Sequence, residues 1–501
     1  MPGPPVCAYR ILLSGPEAHD LTVHAECRSD GAIELRPRGP VLRRNLVALT
    51  VNGRPVDRLD LFDWRVPAEG GQARFGYRFD LDKAAADEGS MDGARRFGRT
   101  VVAPLRSWLL APADPDAQLQ LTVDAPRGGR ILTGLAPAGG GTAGGPRAPL
   151  ALQAGDLDYA GYALLGTFRS YEFTLPAALE APGSGPARIT LALPDPPFAL
   201  PDEELLRWLI RSAHLVAGYW GGMPTRRSLF VLAPEPMSGG VMFGRVRGGG
   251  GTTGFISLGE YTEREQLYRS WELVHEMMHL GSPFMRDGFW FMEGFATYAE
   301  PVARARAGWR SEAEVWEEFL RGMPRGLPAM TGGGMDGRGV DTVYWGGALF
   351  MLLADVAIRV QSGNTLGLED CFRAILARRG DASRRWSLAE ALAACDAATG
   401  GSAVSRLVQR HVDSAHPLDL DALWQDLGVR QGPEGITLDD GAPLAAVRRA
   451  IAGRRALPAG LPVPSGAAPP GHLPAAGGHD DTGQREGGRM LGAGSGAGSA
   501  E

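Results

Sequence analysis

The stretch from 271 to 300, "WELVHEMMHLGSPFMRDGFWFMEGFATYAE", decides how the rest of the chain is read. Its first part, taken with the preceding "LYRS", has helix-compatible composition, and Gly281 followed by Ser282-Pro283 supplies a stop. On such a helix His275 and His279 lie one turn apart on the same face, so both imidazoles can reach a single metal ion. Glu276 points slightly aside, where it can act on water as a general base without becoming a ligand. The chain has nine histidines, so a chance match to this spacing is rare. The second part, "FWFMEGFATYAEPVARARAG", reads as another helix with Phe291, Phe295 and Tyr298 as its apolar stripe. Glu293 lies near its start, after a loop carrying Pro283 and Asp287-Gly288. That loop can turn the chain back and present Glu293 across the hairpin. Two histidines and one glutamate then make three ligands for one Zn2+ ion, with the fourth position open as catalysis needs.

"HEMMH" followed by "MEGFATYAE" resembles the gluzincin metallopeptidases, in particular the aminopeptidase N family. The order of domains resembles glycyl aminopeptidase-like peptidases, although no PDZ segment follows. The resemblance is specific over about residues 230 to 360. It implies a zinc-dependent hydrolase acting on a peptide or protein substrate, with Glu276 as base. It also implies that Glu300, two helical turns past Glu293, supports the zinc site. In "VYWGGALFMLLADVAIRV", Tyr344 matches the tyrosine that donates to the developing oxyanion. Other readings stay open here: Glu300 as a solvated helix glutamate, Tyr344 as a core residue, and the whole protein as an inactive peptide-binding module on a gluzincin scaffold.

Three departures from the family pattern matter. The loop between His279 and Glu293 is shorter than the family's, and Trp345-Gly346 replaces a Glu-Lys pair. The phrase Gly240-Val241-Met242-Phe243-Gly244 keeps a Gly-x-Met pattern but loses the glutamate that anchors a free α-amine in the aminopeptidases. Gly240, Val241 and Met242 are expected on an edge strand that pairs with substrate backbone. Amine recognition then falls to another group, with Glu260 as one candidate, or is absent.

Outward from this centre, the pattern predicts a multidomain α+β protein. Residues 1–195 carry short alternating runs such as "LTVHAEC", "ARFGYRFDL", "YEFTLP" and "ARITLALP", with Asn52-Gly53 as the sharpest hairpin cue, and read as a β-sandwich-like domain. The Gly-rich stretch 136–149 reads as a surface loop. Residues 196–310 are expected to form a thermolysin-like α/β zinc domain, opening on a helix with Asp202 as N-cap. Residues 311–455 read as a helical domain with a short mixed end. Residues 456–501, rich in Ala, Gly, Pro and Ser, cannot offset their ordering entropy and read as disordered; His472 and His479 there are incidental.

Composition narrows the function. The formal charge is −6 and the cations are almost all arginine, Lys83 being the single lysine. No clustered basic face is present, so nucleic acid is not an expected partner. The Gly-rich turn near 250 lacks the GK[ST] ending of a phosphate loop, and no GxSxG phrase occurs. No run of about 18 apolar residues suggests a membrane span, and "MPGPPVCAYRILLSG" lacks the marks of a signal peptide. The expectation is a cytoplasmic protein, unless the true start lies upstream. Cys7, Cys27, Cys371 and Cys395 form no CxxC pair and are read as reduced, buried thiols, a Cys7–Cys27 bridge being the lesser alternative.

Overall fold

The computed structural model describes residues 3–454, apart from 58–62, 88–92, 139–147, 182–184, 336, 338, 415 and 433–434. Most of the Gly-rich loop expected at 136–149, and all of the tail expected beyond 456, lie outside the described residues.

The first two N-terminal strands alternate between buried and more exposed positions, as a half-buried sheet requires. In Val6–Leu13 the inward residues are Cys7, Tyr9, Ile11 and Leu13. This strand pairs antiparallel with Asp20–Arg28 and parallel with Gln118–Asp124, inside a seven-stranded sheet. Asn52 and Gly53, both at positive φ, turn Leu46–Val51 back onto Arg54–Pro55, as their sequence predicts. A four-stranded sheet faces the same core and contains two strands buried along their whole length, Thr100–Pro104 and Tyr162–Gly166. Val101, Ala103, Ala163 and Leu165 point into the N-terminal core. Val102, Tyr162 and Leu164 point the other way, onto Leu229, Val231 and Phe255 of the next sheet. Their continuous apolar runs reflect two covered faces, and each large side chain so buried contributes about 1.5–3 kcal/mol.

That next sheet has five strands in the spatial order Arg169–Leu175, Ala187–Leu193, Arg227–Glu235, Thr253–Gly259, Val241–Arg247. Its three central strands are parallel, and Val241–Arg247 is an antiparallel edge. The runs "YEFTLP" and "ARITLALP", expected in the N-terminal β domain, therefore belong to the sheet that carries the histidine helix. Alternation identifies a strand but not its partner, which here is chosen by parallel pairing of Ala187–Leu193 with Arg227–Glu235. Asp202 is also not the N-cap of its helix, Asp202–Trp220. Pro201 takes that position, and the Asp202 carboxylate accepts from Arg169 Nε at 2.6 Å and Tyr171 Oη at 2.7 Å.

Helices cover the other face of this sheet and run on into a shared helical core. Asp341–Gln361 is, by length and a mean hydropathy of 1.5, apolar enough to cross a membrane, yet 72% of its most apolar window is buried within the protein. It serves as a core helix. The expectation of reduced cysteines is overturned. Cys7 and Cys27 stand directly opposite on paired strands and are joined by a disulfide, and a second joins Cys371 to Cys395 across two neighbouring helices. Strand register and helix packing, invisible in the spacing of the cysteines, bring each pair together.

Candidate metal centre

The histidine helix is shorter than its sequence suggests. A first turn, Arg264–Arg269, ends at Ser270 in extended conformation, and a second helix, Glu272–Met278, then tightens to a 3-10 turn over His279–Gly281. His275 and His279 keep their one-turn spacing, and both are buried. The chain reverses through 282–288 and enters the helix Phe289–Arg306, which begins just before Glu293.

The reversal succeeds because of two glycines. A Cβ on Gly294 would lie 2.3 Å from the Gly347 carbonyl carbon, and one on Gly347 would lie 2.3 Å from the Trp290 carbonyl oxygen. The helices Phe289–Arg306 and Gly347–Gln361 thus cross at backbone contact, a distance that only glycine permits. This crossing sets Tyr344, in the wide helical turn Asp341–Gly346, beside the histidines. Its ring stacks on His275 at 6.0 Å between centroids. On the other side, the Trp271 ring meets His275 edge-on at 5.1 Å.

Three ligand atoms converge. His275 Nε2 lies 3.2 Å from Glu293 Oε2, His279 Nε2 lies 3.3 Å from the same oxygen, and the two Nε2 atoms are 3.3 Å apart. His275, His279 and Glu293 form the one such group of His, Cys, Asp or Glu found among the described residues. The triangle can be tested against a metal. Tetrahedral zinc with bonds of about 2.0–2.1 Å needs ligand atoms about 3.3–3.4 Å apart. The observed edges match, so the residues present fit the ion.

Electrostatics follow from burial and proximity. Burial would raise the Glu293 carboxyl, but the neighbouring His279 and His275 hold it well below the usual range. Burial would lower His279, yet Glu293 raises it above an ordinary histidine. Glu276 is pushed up to about 7 by burial, with Glu293 adding to the shift while His279, Arg245 and the Val246 N–H oppose it. Tyr344 is driven well above 10 by burial and by Glu293 and Glu276, so it remains a phenol able to donate.

Two expected site elements are placed as follows. Glu300 is buried, but its partner is Arg304 at 3.0 Å, not a histidine. Nδ1 of His279 is buried with no hydrogen-bond partner. Arg304 also reaches the carbonyls of Tyr268 and Arg269, both at 3.4 Å. Glu300 therefore acts through a clamp on the turn ahead of the histidine helix. Spacing along a helix told which face Glu300 occupies, not which neighbour would claim it. The second element is Gly240, Val241 and Met242. Val241 and Met242 begin the edge strand just after Gly240, and Met242, at its bulge, is 47% exposed, while the part that meets Glu276 lies further along. A Cβ on Gly244 would sit 2.5 Å from Glu276 Cγ, and the Val246 N–H is hydrogen-bonded to the same carboxylate. Sequence reading missed this contact and the Arg245 between them. The only hint was a glycine in an otherwise good strand.

Comparison with protein-family models and with curated proteins gives no match. Solved structures do match. An aminopeptidase N family protein from Idiomarina loihiensis superposes with a TM-score of 0.59 at 15% identity, over 85% of this chain and 80% of that one. An M1 zinc metallopeptidase from Deinococcus radiodurans gives a TM-score of 0.49 at 14% identity, over 83% of this chain and 95% of that one. The first likeness establishes a shared multidomain α+β fold, and the chain's His-His-Glu group lies within it.

Proposed function

We propose that this protein is a zinc-dependent peptidase. The observation that carries the reading is the triangle of His275, His279 and Glu293, with edges of 3.2 and 3.3 Å, flanked by a buried carboxylate and a half-buried phenol. When bound there, zinc supplies Lewis-acid activation of water and of the scissile carbonyl. Glu276, its carboxyl pushed up to about 7, is matched to take a proton from the attacking water near neutral pH. It would return that proton to the leaving nitrogen as the C–N bond breaks. Tyr344 would donate to the carbonyl oxygen as charge develops there, without adding a charge of its own. Trp271 and Tyr344 bracket His275 and hold its ring in plane.

The Glu276→Gln variant tests this. It should bind zinc at the wild-type stoichiometry and lose about 10²–10⁴-fold in kcat on a mixed peptide library. Undiminished turnover would end the proposal. The two disulfides support a site of action in an oxidising compartment rather than the cytoplasm. Thiol titration of protein recovered from its native host, under alkylating conditions, would return no free cysteine if that is right.

A further inference from the structure

The helix Gly347–Gln361 starts at the crossing beside the metal centre, and its last turn forms part of a second cavity, roughly 20 Å of helical rise away. The cavity is a surface hollow of about 870 Å³, within the size range of small-molecule sites. Its opposite wall comes from the short helix Ala403–Leu407 and the wide π-helical turn Val408–Asp413 that continues it. Turns of this kind are rare and recur at functional sites.

The lining divides into two kinds of surface. Ala357, Val360 and Leu407 supply an apolar part, and Val360 is 55% exposed. Arg406, Arg410 and His416 supply a basic part, all three of them exposed. Arg406 and Arg410 stand four residues apart along consecutive helical turns, a spacing at which like charges repel. No acid among the described residues pairs with either guanidinium or with the His416 imidazole, and Asp413, three residues past Arg410, is no exception. Arg406 Nη1 donates only to the neutral Ser402 Oγ, at 2.5 Å. The backbone holds the group together: the His416 N–H donates to the Arg410 carbonyl at 3.0 Å, and the His416 carbonyl meets His411 Nδ1 at 3.2 Å. Buried His411 registers the surrounding charge. Burial lowers its imidazole below the usual value, and Arg410 and His416 push the same way against the hydrogen bond from the His416 carbonyl.

We propose that this hollow is a binding site for an amphiphilic carboxylate, a small molecule whose anionic head meets Arg406 and Arg410 and whose apolar body covers Val360 and Leu407. Guanidinium forks match a carboxylate in geometry and charge. A bare inorganic anion would answer the arginines but leave the apolar wall in water, and a neutral apolar molecule would do the reverse. The site stands apart from the metal centre and does not depend on the peptidase reading.

The test is calorimetry on the full-length protein, zinc-loaded and zinc-free, with octanoate, octanamide, acetate and inorganic phosphate as probes. Octanoate should bind at one molecule per chain, equally with and without zinc. Octanamide, which lacks the charge, and acetate, which lacks the apolar body, should each bind about tenfold more weakly or not at all. Replacing both arginines, Arg406→Gln with Arg410→Gln, should cost octanoate about tenfold in affinity, and the pair Arg406→Lys with Arg410→Lys should recover part of it. A second reading needs no variant: saturating octanoate should raise the pKa of His411, followed by NMR titration of its ring protons, because a bound anion offsets the positive charge around it. The proposal is overturned by absent octanoate binding, by octanamide or phosphate binding as tightly as octanoate, by affinity that survives in the double glutamine variant, or by an unmoved His411. Octanoate binding that requires zinc overturns it too, since the carboxylate would then sit on the metal.

Discussion

Two buried clusters of charge share the helices Phe289–Arg306 and Gly347–Gln361, and they are built on opposite plans. In the cluster deep in the helical core, every acid has a basic partner. Asp355 pairs with Arg359 at 2.7 Å, Glu369 with Arg359 at 2.9 Å and Arg306 at 3.3 Å, and Tyr298 donates to Asp355 at 2.7 Å. In the cluster at the helix crossing, three ligand atoms from two histidines and one glutamate point at one another. The first arrangement is complete in itself. The second is a carboxylate facing two imidazoles, whose three converging atoms also have the spacing of ligands around one cation. Buried charge alone does not mark a candidate metal site; three ligand atoms converging at metal-ligand spacing do.

Exchanging the consequences of mutation between the two clusters is the strongest way to break this contrast. Glu293→Ala should abolish zinc binding, from about one ion per chain to none by metal analysis, and abolish peptidase activity while the protein stays folded. Arg359→Ala should instead leave Asp355 and Glu369 buried without compensation and cost about 3–5 kcal/mol by denaturant unfolding. If Glu293→Ala unfolds the chain and Arg359→Ala does not, the assignment of roles is reversed.

Next in size is Tyr344→Phe. Removing a donor that acts only as charge develops should lower kcat about 10²-fold and leave KM near its original value, measured by steady-state kinetics. A pure rise in KM would return Tyr344 to the role of a packing residue.

The pH dependence of zinc affinity sharpens the picture further. His279 has its pKa raised above 6.5 in the metal-free protein, while Glu293 stays ionised. Zinc must therefore displace a proton from His279 once the pH falls through that raised value. Affinity should be flat on the alkaline side and weaken about tenfold per pH unit on the acid side, as read by competition with a chelator.

The smallest effect concerns Glu272, one turn before His275. It is partly accessible, yet it is surrounded closely enough that loss of hydration pushes its carboxyl up to about 7 from 4.5. Between those values the folded protein holds a proton that the unfolded chain has lost, so this group's contribution to stability falls as pH rises from 4.5 to 7. Glu272→Gln should raise the Tm of the metal-free protein by about 2–4 °C at pH 8 and leave it unchanged at pH 5, measured by calorimetry.

How much of this was legible beforehand depends on the distance along the chain over which each contact acts. The histidine pair was readable because one helical turn fixes their relation whatever the rest of the protein does. The strands of Val6–Leu13 and the turn at Asn52-Gly53 were readable for the same reason, since alternation and positive φ are local properties. The Glu300–Arg304 pair is equally local, but the helical period fixes only the face Glu300 occupies, not which neighbour claims it. Cysteine pairing, the transfer of 169–193 to the second sheet, and the meeting of Gly244 with Glu276 all depend on which distant segments lie side by side.

The sequence by itself determined the alternation of the strands, the spacing of His275 and His279, and the supply of a glutamate one helix later, because backbone geometry repeats every two or 3.6 residues. The tertiary structure alone decided that Glu293 closes the triangle, that Tyr344 stacks on His275, and that Gly244 meets Glu276. Those outcomes follow from a helix crossing at Gly294 and Gly347 and from the pairing of an edge strand, which are set by packing between segments that share no local period.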